Sequence, residues 1–165
     1  MATKISVIIP TYAPKYYLWE CLGSLENQTL SKDEFEVILV LNGEREPYES
    51  LIQKKLPEYS FNSTLLYSTP NGVSRARNLG MDKAQGCYIC FIDDDDWVSD
   101  NYLAELLSNA CDNGIVEANV KDVDEQTREE SEQHFLSRAY KNYQPEKESS
   151  RFANRSFFSS ACCKL

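Results

Sequence analysis

The chain has 165 residues, 42% hydrophobic and 26% charged, a balance that suits one domain with a sizeable core and excludes wholesale disorder. Acidic residues outnumber basic ones by 26 to 17, and the formal charge of −9 excludes nucleic acid as a partner, because affinity for phosphate backbones comes mainly from Lys and Arg. No stretch approaches the ~20 apolar residues needed to span a bilayer.

Met1-Ala2-Thr3-Lys4 runs straight into Ile5-Ser6-Val7-Ile8-Ile9, so no signal peptide is read, and this β-branched run ended by Pro10 predicts a buried strand. Tyr17, Leu18, Cys21, Leu22 and Leu25 recur at helical spacing and predict an amphipathic helix from Tyr16 to near Gln28. Phe35 to Leu41 reads as a second buried strand stopped by Asn42-Gly43, Pro47 to Lys55 as a short helix, and Thr64 to Tyr67 as a weaker strand. Ser74 is placed as the cap of a helix reaching about Ala84. Cys87 to Ile92 is a third strong strand, and Asp100 is placed as the cap of a helix whose Tyr102, Leu103, Leu106 and Leu107 share a face. Ile115 to Val120 reads as another strand.

Beyond Lys121 the composition changes. Asp122 to Glu132 is charged and reads as a solvated loop or exposed helix, and Phe135 to Tyr143 as a helix. The final residues, Ser159 to Leu165, read as the start of an element, so a truncated chain is expected. Two regions follow: a core over 1–121 and the beginning of a second part over 122–165. Strands alternating with helices predict an α/β sandwich around a mostly parallel sheet.

In open parallel sheets, ligands bind outside the carboxyl ends of the strands. Three predicted strands end there in polar residues: Pro10-Thr11-Tyr12, Asn42-Gly43-Glu44 and Asp93-Asp94-Asp95-Asp96. The aspartates supply hard oxygen ligands suited to Mg²⁺ or Mn²⁺. In extended backbone Asp93 and Asp95 share a face and Asp94 points away, with Asp96 in the following turn. A charge run is more often a solvated surface, but four carboxylates abutting Tyr88-Ile89-Cys90-Phe91-Ile92 are costly without a counter-ion. Arg75 and Arg77 are natural diphosphate partners; the competing reading is a surface ion pair, with the aspartates themselves as its acceptors. Tyr12 is suited to stack on a base and Thr11 to hydrogen-bond to it.

Cys87 and Cys90 imitate a redox or zinc spacing, yet positions three apart on a strand face opposite sides. The six cysteines (Cys21, Cys87, Cys90, Cys111, Cys162 and Cys163) show no disulfide framework and read as thiols of an intracellular chain. His134 is the only histidine and reads as a surface residue. The expected location is cytoplasmic, with peripheral association at the inner face of the membrane left open.

Four segments resemble family 2 glycosyltransferases: Ser6-Val7-Ile8-Ile9-Pro10-Thr11-Tyr12, Leu25-Glu26-Asn27-Gln28-Thr29, Asn71-Gly72-Val73-Ser74-Arg75-Ala76-Arg77-Asn78-Leu79-Gly80, and Phe91-Ile92-Asp93-Asp94-Asp95-Asp96-Trp97. The resemblance implies a GT-A (Rossmann-like) three-layer sandwich that binds a nucleotide-sugar donor, commonly a UDP-sugar, with Mn²⁺ or Mg²⁺. It implies that Thr11 and Tyr12 contact the base, that Asp93 faces the ribose or sugar, and that Asp95 holds the metal, with Asp93 and Asp96 near it. It further implies transfer with inversion to a glycan or lipid-linked acceptor in polysaccharide synthesis. The second strand departs from the family, reading Leu41-Asn42 where many members carry two aspartates; base recognition is then assigned to Asn42 or Glu44. No residue from 122 to 165 is a convincing catalytic base. The alternatives are a donor-binding module without turnover and, lower, a nucleotidyltransferase, whose usual glycine-rich loop is missing from Thr11-Tyr12-Ala13-Pro14-Lys15.

Overall fold

The computed structural model describes residues 2–110, 115–118, 121–124, 127, 129–132 and 156–159. Strands β1 (Ile5–Thr11) and β2 (Phe35–Leu41) are buried at every position and pair in parallel, Ile5 opposite Phe35 through Thr11 opposite Leu41. Apolar runs covered on both faces are the signature of parallel strands. Strand β3 (Asn62–Tyr67) extends the sheet beyond β2, and β4 (Tyr88–Phe91) pairs with β1 on its other side. Later come β5 (Ile115–Glu117), β6 (Lys121–Val123), β7 (Glu130–Glu132) and β8 (Ser156–Ser159). Among the described residues the main sheet runs β3-β2-β1-β4-β8-β5, and all its pairings are parallel.

Helices α1 (Tyr16–Glu26), α2 (Tyr48–Lys55), α3 (Val73–Lys83) and α4 (Tyr102–Ser108) cover both faces. Alternate residues of a strand face opposite sides. Ile5, Val7, Ile9, Val37 and Leu39 accordingly pack with Leu18, Cys21 and Leu22 of α1, Ile52 of α2 and Leu103 of α4. Ile8, Ile38 and Val40 meet Ala76 of α3 and Ala84 on the other face. The result is the expected α/β sandwich of three layers with a parallel central sheet.

α3 seats closely because Gly80 has no side chain: a Cβ there would lie 2.5 Å from Ile8 Cγ2. The chain leaving α3 is held by a buried polar cluster beneath it. Ser6 Oγ donates to Glu36 Oε1 at 2.6 Å, and the backbone N–H of Gln85 donates to that same oxygen at 2.8 Å. Gly86 N–H donates to Ser6 Oγ at 2.8 Å. A carboxylate buried near the amino end of β2 is thus satisfied by hydrogen bonds, the condition for tolerating it there.

Several local expectations are corrected. Pro10 does not end β1, which continues to Thr11. β1 directs even-numbered backbone groups toward β4, shown by Tyr88 N–H bonding Lys4 O at 2.9 Å and Ile92 N–H bonding Ile8 O at 3.2 Å. The missing N–H of Pro10 therefore falls on the side where pairing with β4 has stopped at Phe91, while pairing with β2 continues. Ser74 is not a cap: α3 starts at Val73 after Gly72, whose φ is 146°, a region open to glycine. Asp100 does not cap α4 either; Asn101 holds the cap position without a side-chain cap bond. Lys121–Val123 and Glu130–Glu132 form an antiparallel pair rather than a loop or helix. The helix expected over Phe135 to Tyr143, His134, Cys162 and Cys163 lie outside the described residues.

Candidate functional site

β1 lies between β2 and β4 in the sheet. The chain runs from β1 outward to β2 and β3 and then returns to β4 on the opposite side, so the strand order reverses at β1. Such a reversal opens a crevice at the carboxyl edge, and the polar residues ending these strands meet there. Thr11 is buried, and its Oγ1 hydroxyl donates to Asp94 Oδ2. Thr11 O accepts both Asn42 N–H and Asn42 Nδ2, each at 2.9 Å. Asn42 Oδ1 in turn accepts Gly72 N–H at 3.4 Å. One buried amide therefore ties the ends of β1 and β2 to the start of α3. Tyr67 adds β3, donating its hydroxyl to Gly43 O at 3.2 Å. Gly43 is required by closeness, since a Cβ would stand 2.3 Å from Tyr12 O.

The acidic run is not extended. β4 ends at Phe91, and Asp96 N–H closes a turn onto Asp93 O at 3.1 Å, with Asp94 and Asp95 at its tip. The expectation that Asp93 and Asp95 share a strand face with Asp94 turned away is thereby corrected: Asp94 faces Thr11, and Asp95 is exposed. Asp93 accepts an ion pair from Arg77 Nη2 at 2.5 Å, and the guanidinium lies 5.7 Å from the Phe91 ring centroid. Asp96 is buried. Arg75 and Glu44 are exposed, and Tyr12 is 59% exposed at the crevice rim. Pro10 is buried in the strand beneath.

The carboxylates act on one another. Burial pushes the Asp94 carboxyl up to about 6; the Thr11 hydroxyl opposes that shift, and the charges of Asp95 and Asp93 add to it. Burial raises the Cys21 thiol well above its ordinary value, and the field of Asp94, Asp96, Asp95 and Asp93 raises it further. Burial likewise raises the Tyr17 hydroxyl, helped by Asp94 and Asp95. Among the described residues no group of three His, Cys, Asp or Glu side chains is gathered to hold an ion. A divalent cation still fits the turn. Mg²⁺-type sites take one or two carboxylates plus substrate phosphates rather than an all-protein cage, and a cation would offset the charges of Asp95 and Asp93 that add to the effect of burial on Asp94.

Cys87 lies just before β4 rather than on it and is exposed, Cys90 within β4 is buried, and both are free thiols. Gly43 enters the sequence reading only as part of Asn42-Gly43-Glu44, with no role of its own, and Tyr67 is not among the candidate residues. The Asn42-Gly43 turn signal marked the first, whereas Tyr67 carried no local signal because its partner is 24 residues away.

A parallel sheet with an acidic turn at its reversal point is the arrangement in which α/β proteins place their ligands, at the carboxyl edge of the strands. A family model for Glycosyl transferase family 2 matches residues 6–164, and the chain belongs to that family. It is 30% identical over 102 residues to the poly(ribitol-phosphate) beta-N-acetylglucosaminyltransferase TarS of Staphylococcus aureus, covering 62% of this chain and 18% of TarS. It is 35% identical over 103 residues to the minor teichoic acid biosynthesis protein GgaB of Bacillus subtilis, covering 62% of this chain and 11% of GgaB. The crystal structure of S. aureus TarS in complex with UDP superposes with a TM-score of 0.61 at 27% identity, over 72% of this chain and 36% of that one. The GT-A fold expectation is met. The chain spans less than a fifth of these two relatives' own lengths.

Proposed function

We propose that this chain forms the donor site of a glycosyltransferase. It binds a nucleotide diphosphate sugar, with a UDP-sugar as the expected donor, and serves transfer to a glycan or lipid-linked acceptor in polysaccharide synthesis. The observation that carries this reading is the tie of Thr11, Asn42, Asp94 and the start of α3 at the reversal point of the sheet. Support comes from the relatives: TarS has been solved with UDP and with UDP-GlcNAc, TarS is named a poly(ribitol-phosphate) beta-N-acetylglucosaminyltransferase, and GgaB a minor teichoic acid biosynthesis protein. Residues 1–121 are read as the donor-binding core and 122–165 as the beginning of the acceptor side. The working location is cytoplasmic, at the inner face of the membrane; no helix among the described residues is long and apolar enough to cross one.

Each residue has a task in this reading. Tyr12, exposed on the rim, offers its ring to the base, as an aromatic face stacks on any base. Glu44, exposed just beyond β2, is the polar group free to recognise the base edge, because Asn42 spends its amide on Thr11 and Gly72. The start of α3, with its unbonded N–H groups and Arg75, faces the diphosphate. Arg77 holds Asp93 in place and stands beside the phosphates. Asp95 with Asp93 would hold Mn²⁺ or Mg²⁺, and Asp96 supports the turn from below. When bound, that cation neutralises charge developing on the leaving diphosphate. In the transfer itself the bond from the anomeric carbon to the diphosphate oxygen breaks, and a bond to the acceptor oxygen forms with inversion. The acceptor proton goes to a carboxylate base that lies outside the described residues.

Calorimetric titration with UDP, first with Mn²⁺ and then with EDTA, tests the site. Binding that depends on the metal is expected; no binding in either buffer overturns the reading. Slow hydrolysis of a UDP-sugar separates a competent centre from a donor-binding module, which binds without turnover.

A further inference from the structure

The segment that follows the acidic turn, 97–101, belongs to no helix or strand, so no sheet ladder holds it in place. It is held instead by a polar stripe along α1 and just past its end. Cys21 Sγ lies 3.8 Å from Asp93 O. Ser24 Oγ accepts Val98 N–H at 3.2 Å. Gln28, only 5% exposed, gives Nε2 to Ser99 O at 2.7 Å and to Ser24 O at 3.0 Å, while its Oε1 accepts Leu103 N–H at 2.9 Å. Thr29 N–H bonds Asp100 O at 2.7 Å. Cys21 and Ser24, three residues apart, share a face of α1, Gln28 just past its end is tied to Ser24 O, and the three follow the loop from Asp93 to Leu103.

Two consequences follow. Leu103 is the second residue of α4, whose own Asn101 makes no side-chain cap bond, so Gln28 caps this helix from another element, supplying the acceptor that an N-cap side chain normally provides. The acidic turn is also anchored at both ends, by Ile92 N–H on Ile8 O before it and by the α1 stripe after it.

We infer that Gln28, with Ser24, is a positioning residue for the acidic turn: the α1 stripe sets where Asp93 and Asp95 stand, and so sets the strength of metal-dependent donor binding. The inference rests on the donor-site reading above. Partners that orient metal ligands without touching the metal typically change affinity about 10- to 100-fold when removed. Gln28→Glu is the sharpest probe, because it keeps the size but turns a donor into an oxygen facing Ser99 O and Ser24 O.

The experiment compares the full 165-residue chain with Gln28→Glu, the milder Ser24→Ala, and Ile52→Val as a control, since Ile52 lies buried in α2 away from the turn. Each is titrated with UDP in Mn²⁺ and in EDTA, and peptide-level hydrogen exchange is followed over 93–103 in EDTA. The expected result is faster exchange over 93–103 in both α1 variants, unchanged UDP affinity in EDTA, and a metal-dependent increment reduced about tenfold or more in Gln28→Glu. Ser24→Ala is expected to move the same way by less, and Ile52→Val to leave the increment and the local exchange alone. An unchanged increment in Gln28→Glu and Ser24→Ala overturns the inference, as does an equal fall in Ile52→Val, which would make the effect one of general stability. Absence of any metal-dependent increment in the unsubstituted chain defeats the donor-site reading itself and is recognised before any variant is compared. If Gln28→Glu does not fold, Ser24→Ala alone decides.

Discussion

At Asp95 exposure separates function from stability. The side chain stands at the tip of a turn closed by backbone atoms of Asp93 and Asp96, so its carboxylate holds nothing in the fold. Asp95→Ala is expected to leave the free energy of urea unfolding within about 0.5 kcal/mol of the original, while UDP affinity in Mn²⁺ falls to the value measured in EDTA. An unchanged Mn²⁺ increment would remove Asp95 from the site. Cys90 is the opposite case. Burial pushes its thiol from 9.0 up to about 12, with the Tyr102 hydroxyl acting against the shift. The folded state therefore favours the neutral thiol. This contribution is fully present below the unfolded value and is lost as pH rises toward the folded one. Between pH 9 and 11 the chain should lose stability faster than Cys90→Ala does, at an extra slope that rises toward about 1.4 kcal/mol per pH unit as the unfolded thiol ionises, read as the slope of urea-unfolding free energy against pH; parallel slopes would contradict it.

Among the elements, α3 carries the sharpest balance of opposing effects. Alanine in place of glycine within a helix gains about 1 kcal/mol in propensity. At Gly80 the added Cβ would sit 2.5 Å from Ile8 Cγ2, and Ile8 is fully buried, so overpacking of about 1–3 kcal/mol opposes that gain. The clash wins, because neither the sheet nor a buried β-branched side chain can yield. Gly80→Ala is expected to destabilise the chain by about 1 kcal/mol in urea unfolding; a stabilised variant would mean that α3 rides higher on the sheet than described. The same elements show what a sequence makes legible. β1 and β2 were readable because burial on both faces demands an unbroken apolar run, and α1 because one face repeats at helical spacing. The pair β6–β7 was not, since short charged strands are joined through backbone groups that leave no side-chain pattern. The acidic turn was placed at the right strand end, but its shape was misread: the rule of alternating faces holds only while the backbone stays extended. The Gln28-Thr29 motif was visible, yet its work was not, because Gln28 meets Ser99 and Leu103 across 71 and 75 residues.

For the whole molecule the governing quantity is the charge of −9 set against an anionic donor. In the proposed donor site Arg75 and Arg77 would attract a diphosphate locally, but Arg77 already faces Asp93, and the acidic turn adds repulsion at the same edge. Net repulsion should therefore dominate when no cation is present. Metal-free UDP binding is expected to tighten as salt rises from about 15 to about 150 mM, because screening shortens the reach of the protein's field. Titrations in EDTA at the two salt concentrations check this, and weakening with salt would show that the arginines prevail.

Pro10 bears on how durable the crevice is. Pairing of β1 with β4 reaches Ile92 N–H on Ile8 O, and the next rung would require a hydrogen that a proline nitrogen does not have. The two strands have no chemical means of zipping further, whatever side chains flank them. The end of β1–β4 pairing is thus fixed by the covalent structure of one imino acid, and in the proposed donor site the residues around the gap would be free to diverge without its closing over them.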